Sequence, residues 1–167
     1  MTGSPIAELR SPRVLFVCTG NIARSPYAQL RLRQLRPELS VVSAGIPGLR
    51  DQPMDPAMAA QLAARGGDPR GHRSRQLTAD QLAAADLVLT FEFAQRMRIL
   101  DAWPDQLAKV HGIRHWLATR ADAPQQIGVR DSMTLDVPDP HGRGRRAAAE
   151  CARTIDELVA LLADAVP

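Results

Sequence analysis

Four consecutive apolar residues, Val14, Leu15, Phe16 and Val17, run directly into Cys18-Thr19-Gly20-Asn21-Ile22-Ala23-Arg24-Ser25-Pro26. An unbroken apolar strand offers no side to water, so it belongs in a sheet covered on both faces, as parallel α/β sheets are. Gly20 and Asn21 read as the residues that admit a positive-φ turn. Ser25 reads as a helix N-cap and Pro26 as the first helical residue. The strand therefore ends at a thiol faced by the positive end of a helix, where a thiolate and a bound phosphate would both be stabilised.

The residues of this loop suit one chemistry. Cysteine attacks as the thiolate, and helix-terminal N–H groups, the Arg24 guanidinium and the Ser25 hydroxyl all favour negative charge on sulfur. The planar fork of Arg24 also matches two oxygens of a tetrahedral dianion, which a lysine cannot do. No lysine followed by Ser or Thr closes the loop, so it does not read as a nucleotide-binding loop but as a phosphate cradle containing its own nucleophile. A buried cysteine ending a strand is more often a small hydrophobe. Packing alone, however, does not call for Gly-Asn, an arginine six positions on and a Ser-Pro helix start.

Apolar runs alternate with helical patterns along the rest of the chain. Strands are expected at 13–18, 39–44, 86–90 and near 108–111, and helices at 25–36, 54–66, 92–101 and 144–163. The last helix carries Ala147, Cys151, Ile155, Leu158, Leu161 and Leu162 at helical spacing. This alternation predicts an α/β fold, a single three-layer domain with a doubly wound parallel sheet and helices on both faces. Ligands of such sheets bind beyond the carboxyl ends of the strands, and Cys18 ends the first. A chain of 167 residues with 45% apolar content is one domain, expected over 13–167, with residues 1–12 as a flexible N-terminal tail.

The loop resembles the signature of the low-molecular-weight protein tyrosine phosphatase family, Val-Cys-x-Gly-Asn-x-Cys-Arg-Ser-Pro. Val42-Ser43-Ala44-Gly45, Asp55-Pro56, His72-Arg73-Ser74-Arg75, Ala85-Asp86-Leu87-Val88-Leu89 and Asp139-Pro140 resemble later segments of the same family. The resemblance implies a four-stranded sheet of order 2-1-3-4 and hydrolysis through a phosphocysteine, without metal or cofactor. It also implies roles for particular residues. Cys18 would be the nucleophile, Arg24 the phosphate clamp, and Asp139, held between Pro138 and Pro140, the acid and then the base. Asp131 and Asp136 compete for that last role. Thr19, Gly20, Asn21, Ile22, Ala23 and Ser25 would line the phosphate site, with Asn21 held through Ser25, Ser43 and His72.

Departures from the family bear on the substrate. Leu49, His141 and Gly142 stand where tyrosine-specific members place aromatic cleft walls, and the Asp-Pro-x-Gly ending resembles the related protein arginine phosphatases. Ile22 looks like the tyrosine-specific form, because the arginine phosphatases carry Thr there. Ala23 replaces the second cysteine that in many relatives traps an oxidised nucleophile. Phosphotyrosine in proteins is the leading substrate. Phosphoarginine and small metabolites are alternatives on the same scaffold, and a phosphate-binding module without turnover is an alternative of another class.

Composition narrows the partners. The net charge of +3 comes almost wholly from arginine, Lys109 being the only lysine, and aromatic residues make up 4%, a poor stacking surface for nucleic acid. Arg143, Arg145 and Arg146 form the one local cluster, which could draw an acidic substrate toward the cleft. His111 and His115 share metal-ligand spacing but lack the intervening acid of metalloproteases. No run is long enough to span a membrane, and two cysteines give no disulfide framework. The expected setting is therefore the reducing cytoplasm, with Cys151 as a packing residue and the chain a monomer or weak dimer.

Overall fold

A computed structural model describes residues 11–120 and 134–167. Four parallel strands, β1 (Arg13–Cys18), β2 (Ser40–Gly45), β3 (Leu87–Thr90) and β4 (Val110–Gly112), lie in the order β2-β1-β3-β4. Central β1 pairs Phe16 with Ser43 on one side and with Leu89 on the other. Its apolar run is divided by the two-residue period of a strand. Val14 and Phe16 enter one core with Tyr27, Leu32, Ile155 and Leu162, whereas Leu15 and Val17 enter a second with Leu82, Val88, Ile99 and Val110. Both faces of the sheet are thereby covered, which is why the run needed no polar alternation.

The first core is closed by α1 (Arg24–Leu35), α2 (Pro56–Ala63), α5 (Ile113–Ala118) and the long α6 (Gly144–Ala165), the second by α3 (Ala79–Ala84) and α4 (Phe93–Ala102). A 3-10 turn, Pro104–Gln106, leads into β4. The buried stripe of α6 runs through Ala148, Cys151, Ala152, Ile155, Leu158, Val159, Leu162 and Ala163. Ala147 lies at its edge, with Ala148 buried in its place, and Leu161 is exposed, so those two members of the expected stripe do not belong to it. Asp156 on the same helix accepts from Tyr27 Oη, Arg31 Nε and Arg65 Nε at 3.0, 2.8 and 2.6 Å, pinning α1 and the end of α2 to α6.

Three expectations shift. Helix α2 stops at Ala63 rather than 66, where Gly66 at φ 79° turns the chain. The short helices α3 and α5 were not anticipated. The first of them is announced by a capping box, in which Thr78 and Gln81 satisfy each other's backbone N–H. Helix α1 begins at Arg24 with Ala23 as its N-cap, so Ser25 is a helical residue and not the cap. Of the tail expected over residues 1–12, all but Ser11 and Pro12 lie outside the described residues, as does Asp131.

Candidate active site

The loop after β1 is turned inside out by its neighbours. The carbonyls of Cys18, Thr19, Gly20 and Ile22 accept from the backbone N–H of Ile46, Gly48, Leu49 and Asp55 at 2.9, 2.9, 3.1 and 2.8 Å. The Asn21 carbonyl accepts from His72 Nε2 at 2.7 Å. In a trans peptide the carbonyl and the following N–H point opposite ways, so five outward carbonyls leave the N–H groups of residues 19–23 facing inward. The first turn of α1 adds to them, because Ala23 supplies no capping side chain and no acidic residue stands there. Asn21, not Gly20, takes the left-handed turn, at φ 57°.

Asn21 is fully buried, and its amide holds that conformation. Nδ2 donates to Ser25 Oγ and Ser43 Oγ, each at 2.9 Å, and Oδ1 accepts from the Arg75 backbone N–H at 2.9 Å. Ser25 Oγ in turn lies 3.0 Å from Cys18 Sγ, which explains why this hydroxyl does not cap the helix. His72, whose imidazole is biased toward the neutral form chiefly by burial, belongs to the same scaffold. Gly45 closes it from behind. A Cβ there would come within 2.7 Å of the Thr19 carbonyl oxygen and the Gly48 Cα, both backbone atoms that cannot swing aside.

Cys18 is 2% exposed and forms part of a cavity of about 200 Å3 together with Thr19, Gly20, Ile22, Ala23, Arg24, Leu49, Asp139 and His141. The three residues expected to carry the chemistry therefore meet in one place, as do the expected walls Leu49 and His141; Gly142 does not border the cavity. Arg24 is 1% exposed. Its Nη1 is held by the Glu92 carboxylate and by the Val137 carbonyl, the latter at 2.7 Å. Nε is buried without a partner, and Nη2 meets the Asp139 carboxylate 3.6 Å away. The guanidinium is thus anchored by one corner and presents its Nε–Nη2 edge, the edge that grips two oxygens of a tetrahedral anion.

Asp139 is 48% exposed at the rim, where its Oδ1 accepts from the His141 N–H at 3.1 Å. The competitor Asp136 is occupied elsewhere, accepting from Phe93 N at 2.7 Å. His141 Nδ1 lies 2.8 Å from Asp55 Oδ1, while Asp55 Oδ2 caps α2 through Met58 N. Since the Asp55 backbone N–H also binds the Ile22 carbonyl, this one buried residue ties the loop over 18–24, α2 and the loop of Asp139 together.

Glu92 and Gln95 were missed in the sequence, and Asp55, singled out there as part of a resembling segment, was given no role in the site. Gln95 accepts from Phe91 N and Glu92 N, at 3.0 Å each, and donates to Thr19 Oγ1 at 3.1 Å. A carboxylate two residues past the strand 87–90 was the available signal for Glu92, since residues leaving the carboxyl ends of parallel strands face the ligand edge. Cys151 packs as expected, its thiol pushed up to about 12 by burial. His111 Nε2 points at the Ala108 carbonyl, 3.2 Å away, and among the described residues no cluster of three or more His, Cys, Asp or Glu could hold a metal ion. Among them, too, no helix is long and apolar enough to cross a membrane.

The parallel α/β sheet thus brings a thiol, an oriented guanidinium and a carboxylate to the border of one cavity, and comparison with known proteins places the chain in the class of protein phosphatases. Residues 13–167 match the family model described as low molecular weight phosphotyrosine protein phosphatase, and the chain belongs to that family. It is 43% identical over 125 residues to a probable low molecular weight protein-tyrosine-phosphatase, EpsP, of Ralstonia solanacearum, an alignment covering 73% of this chain and 86% of the relative. The low molecular weight protein tyrosine phosphatase of T. tengcongensis superposes with a TM-score of 0.80 at 27% identity, covering 93% of this chain and 100% of the other. The YwlE arginine phosphatase of Geobacillus stearothermophilus gives 0.78 at 25% identity, covering 92% and 91%. The chain is accordingly a phosphatase enzyme.

Proposed function

We propose that the protein hydrolyses phosphotyrosine in proteins through a phosphocysteine intermediate. The observation that carries the reading is the Arg24 edge: a buried cation with an unpartnered Nε beside Cys18 is arranged for an anion that is not part of the fold. In the first step Cys18 Sγ attacks phosphorus, the P–O bond to the substrate breaks, and the departing oxygen takes a proton from the Asp139 carboxyl group. The inward N–H groups and Arg24 hold the equatorial oxygens, while Ser25 Oγ donates to the sulfur when it is an anion. In the second step Asp139, now a carboxylate, takes a proton from water as that water attacks phosphorus and the P–S bond breaks. Thiolate and carboxylic acid are then restored, and the scheme calls on no metal or cofactor. Two free cysteines, one of them the nucleophile, suit a reducing cytoplasm.

Leu49 and Ile22 supply apolar walls for a phenyl ring. A second reading, phosphoarginine as substrate, is favoured by His141, which puts a polar ring where a stacking wall would serve phosphotyrosine. Hydrolysis of an aryl phosphate should be absent in Cys18→Ser. In Asp139→Asn it should fall by about 10²–10⁴, most for poor leaving groups. A phosphotyrosine peptide should be turned over faster than its phosphoarginine counterpart. Full activity in Cys18→Ser would overturn the mechanism, and the reverse peptide order would overturn the substrate.

A further inference from the structure

A second cavity, of about 240 Å3, shares Asp139 with the catalytic one. The acid loop, through Pro138 and Pro140, forms one wall, and Arg143 with Glu150, Cys151 and Thr154 of α6 forms the other. Among its lining residues Arg143 is the cation, and the two carboxylates are paired with other arginines, Glu150 with Arg146 and Asp139 with Arg24. Arg143, Arg145 and Arg146 crowd the start of α6, and no acidic residue stands in the first turn. Cations at a helix N-terminus oppose the macrodipole, so helix stability gives no reason for three arginines here. Arg146 is neutralised by Glu150 at 3.0 Å. Among the described residues neither Arg143 nor Arg145 has a carboxylate partner, and all three are exposed.

We propose that Arg143 in this cleft, with Arg145 and Arg146 on the helix start beside it, is a docking subsite for an acidic residue of the substrate protein, an Asp or Glu side chain a few positions from the phosphorylated one. The inference rests on the phosphatase reading and names its substrate class, a phosphoprotein segment of acidic sequence. Because Asp139 borders both cavities, a chain whose phosphate sits over Cys18 continues past the acid loop onto Arg143. The carboxylate then pairs with Arg143, which has no carboxylate partner among the described residues, and the positive charge of the cluster raises the encounter rate with such segments. A small neutral aryl phosphate fills only the first cavity and is indifferent to the second.

The test uses two phosphotyrosine peptides of equal length, one flanked by Glu and one by Gln, with a small neutral aryl phosphate as control. At low salt the wild-type protein should prefer the Glu peptide by about tenfold in kcat/KM, an advantage that salt erases. The triple variant Arg143→Glu/Arg145→Glu/Arg146→Glu should lose that preference through KM, with kcat and aryl phosphate turnover within about twofold of wild type. Its melting temperature should be equal or higher, since carboxylates suit a helix start. Binding of the same peptides to Cys18→Ser reads the preference without turnover. Absent turnover thus counts against the phosphatase reading, and absent preference against this one. Equal loss on all three substrates, an unchanged preference in the variant, or stronger competition by a single-stranded oligonucleotide than by an unphosphorylated Glu peptide would overturn the proposal.

Discussion

Replacing Asn21 tests whether the phosphate loop is held open by side-chain hydrogen bonds. Asn21→Ala removes three of them, to Ser25 Oγ, Ser43 Oγ and the Arg75 N–H, from a fully buried site. At about 1 kcal/mol each, somewhat more where a buried group is left unpaired, they amount to roughly 3–4 kcal/mol. Alanine must also hold φ near 57°, adding about 1–2 kcal/mol. The total, about 5 kcal/mol, is a large share of the stability of an ordinary domain and corresponds to a melting temperature lower by roughly 10–20 °C. Asn21→Gly loses the same bonds without the backbone penalty and should be about 1–2 kcal/mol more stable than the alanine variant. Urea denaturation gives both differences, and aryl phosphate turnover should fall by about a hundredfold in each as the inward N–H groups lose alignment. An alanine variant within about 1 kcal/mol of wild type, or a glycine variant no better than alanine, would refute the reasoning.

Other consequences follow from the same contacts. Gly45→Ala should distort the loop through the backbone clash at Thr19, lowering kcat by at least about tenfold while the Arg31–Asp156–Arg65 cluster keeps the helices together. His141→Phe breaks the tie to Asp55 and supplies a stacking wall. For aryl phosphates kcat should fall and KM should drop by about two- to tenfold, whereas alkyl phosphates should show the fall in kcat alone. The Tyr27 phenol is pushed up, first by burial and then by the charge of Asp156, so its neutral form is the one the fold favours. Its contribution is complete below the unfolded phenol range near pH ~10 and is lost as pH rises beyond it. Denaturation midpoints should therefore decline more steeply above that pH in wild type than in Tyr27→Phe.

Much of this protein could be read from local sequence. The run 14–17 fixed the central strand because only a doubly covered sheet accepts it, and the loop residues 18–25 carried the cradle because their chemistry is contiguous. What escaped was non-local. Glu92 and Gln95 act on the loop after β1 across 68 and 76 positions of chain, Asp55 acts on His141 across 86 and on the loop through its backbone N–H, and no periodicity marks such partners. Ser25 is not the cap its place before Pro26 suggests, because its hydroxyl is taken by the thiol and Asn21, the two contacts the loop chemistry and the family resemblance had already implied. Helices α3 and α5, at six residues each, are too short to show a period and are set by their caps and by packing.

The most direct measurement is a rapid alkaline denaturing quench of Asp139→Asn turning over an aryl phosphate with a good leaving group, followed by peptide mass mapping at alkaline pH, where a P–S bond survives. Attack needs little help from the acid there, whereas hydrolysis still needs the base, so a phosphoryl group should accumulate on Cys18. A burst without any adduct, or a phosphoryl group on another residue, would contradict the account.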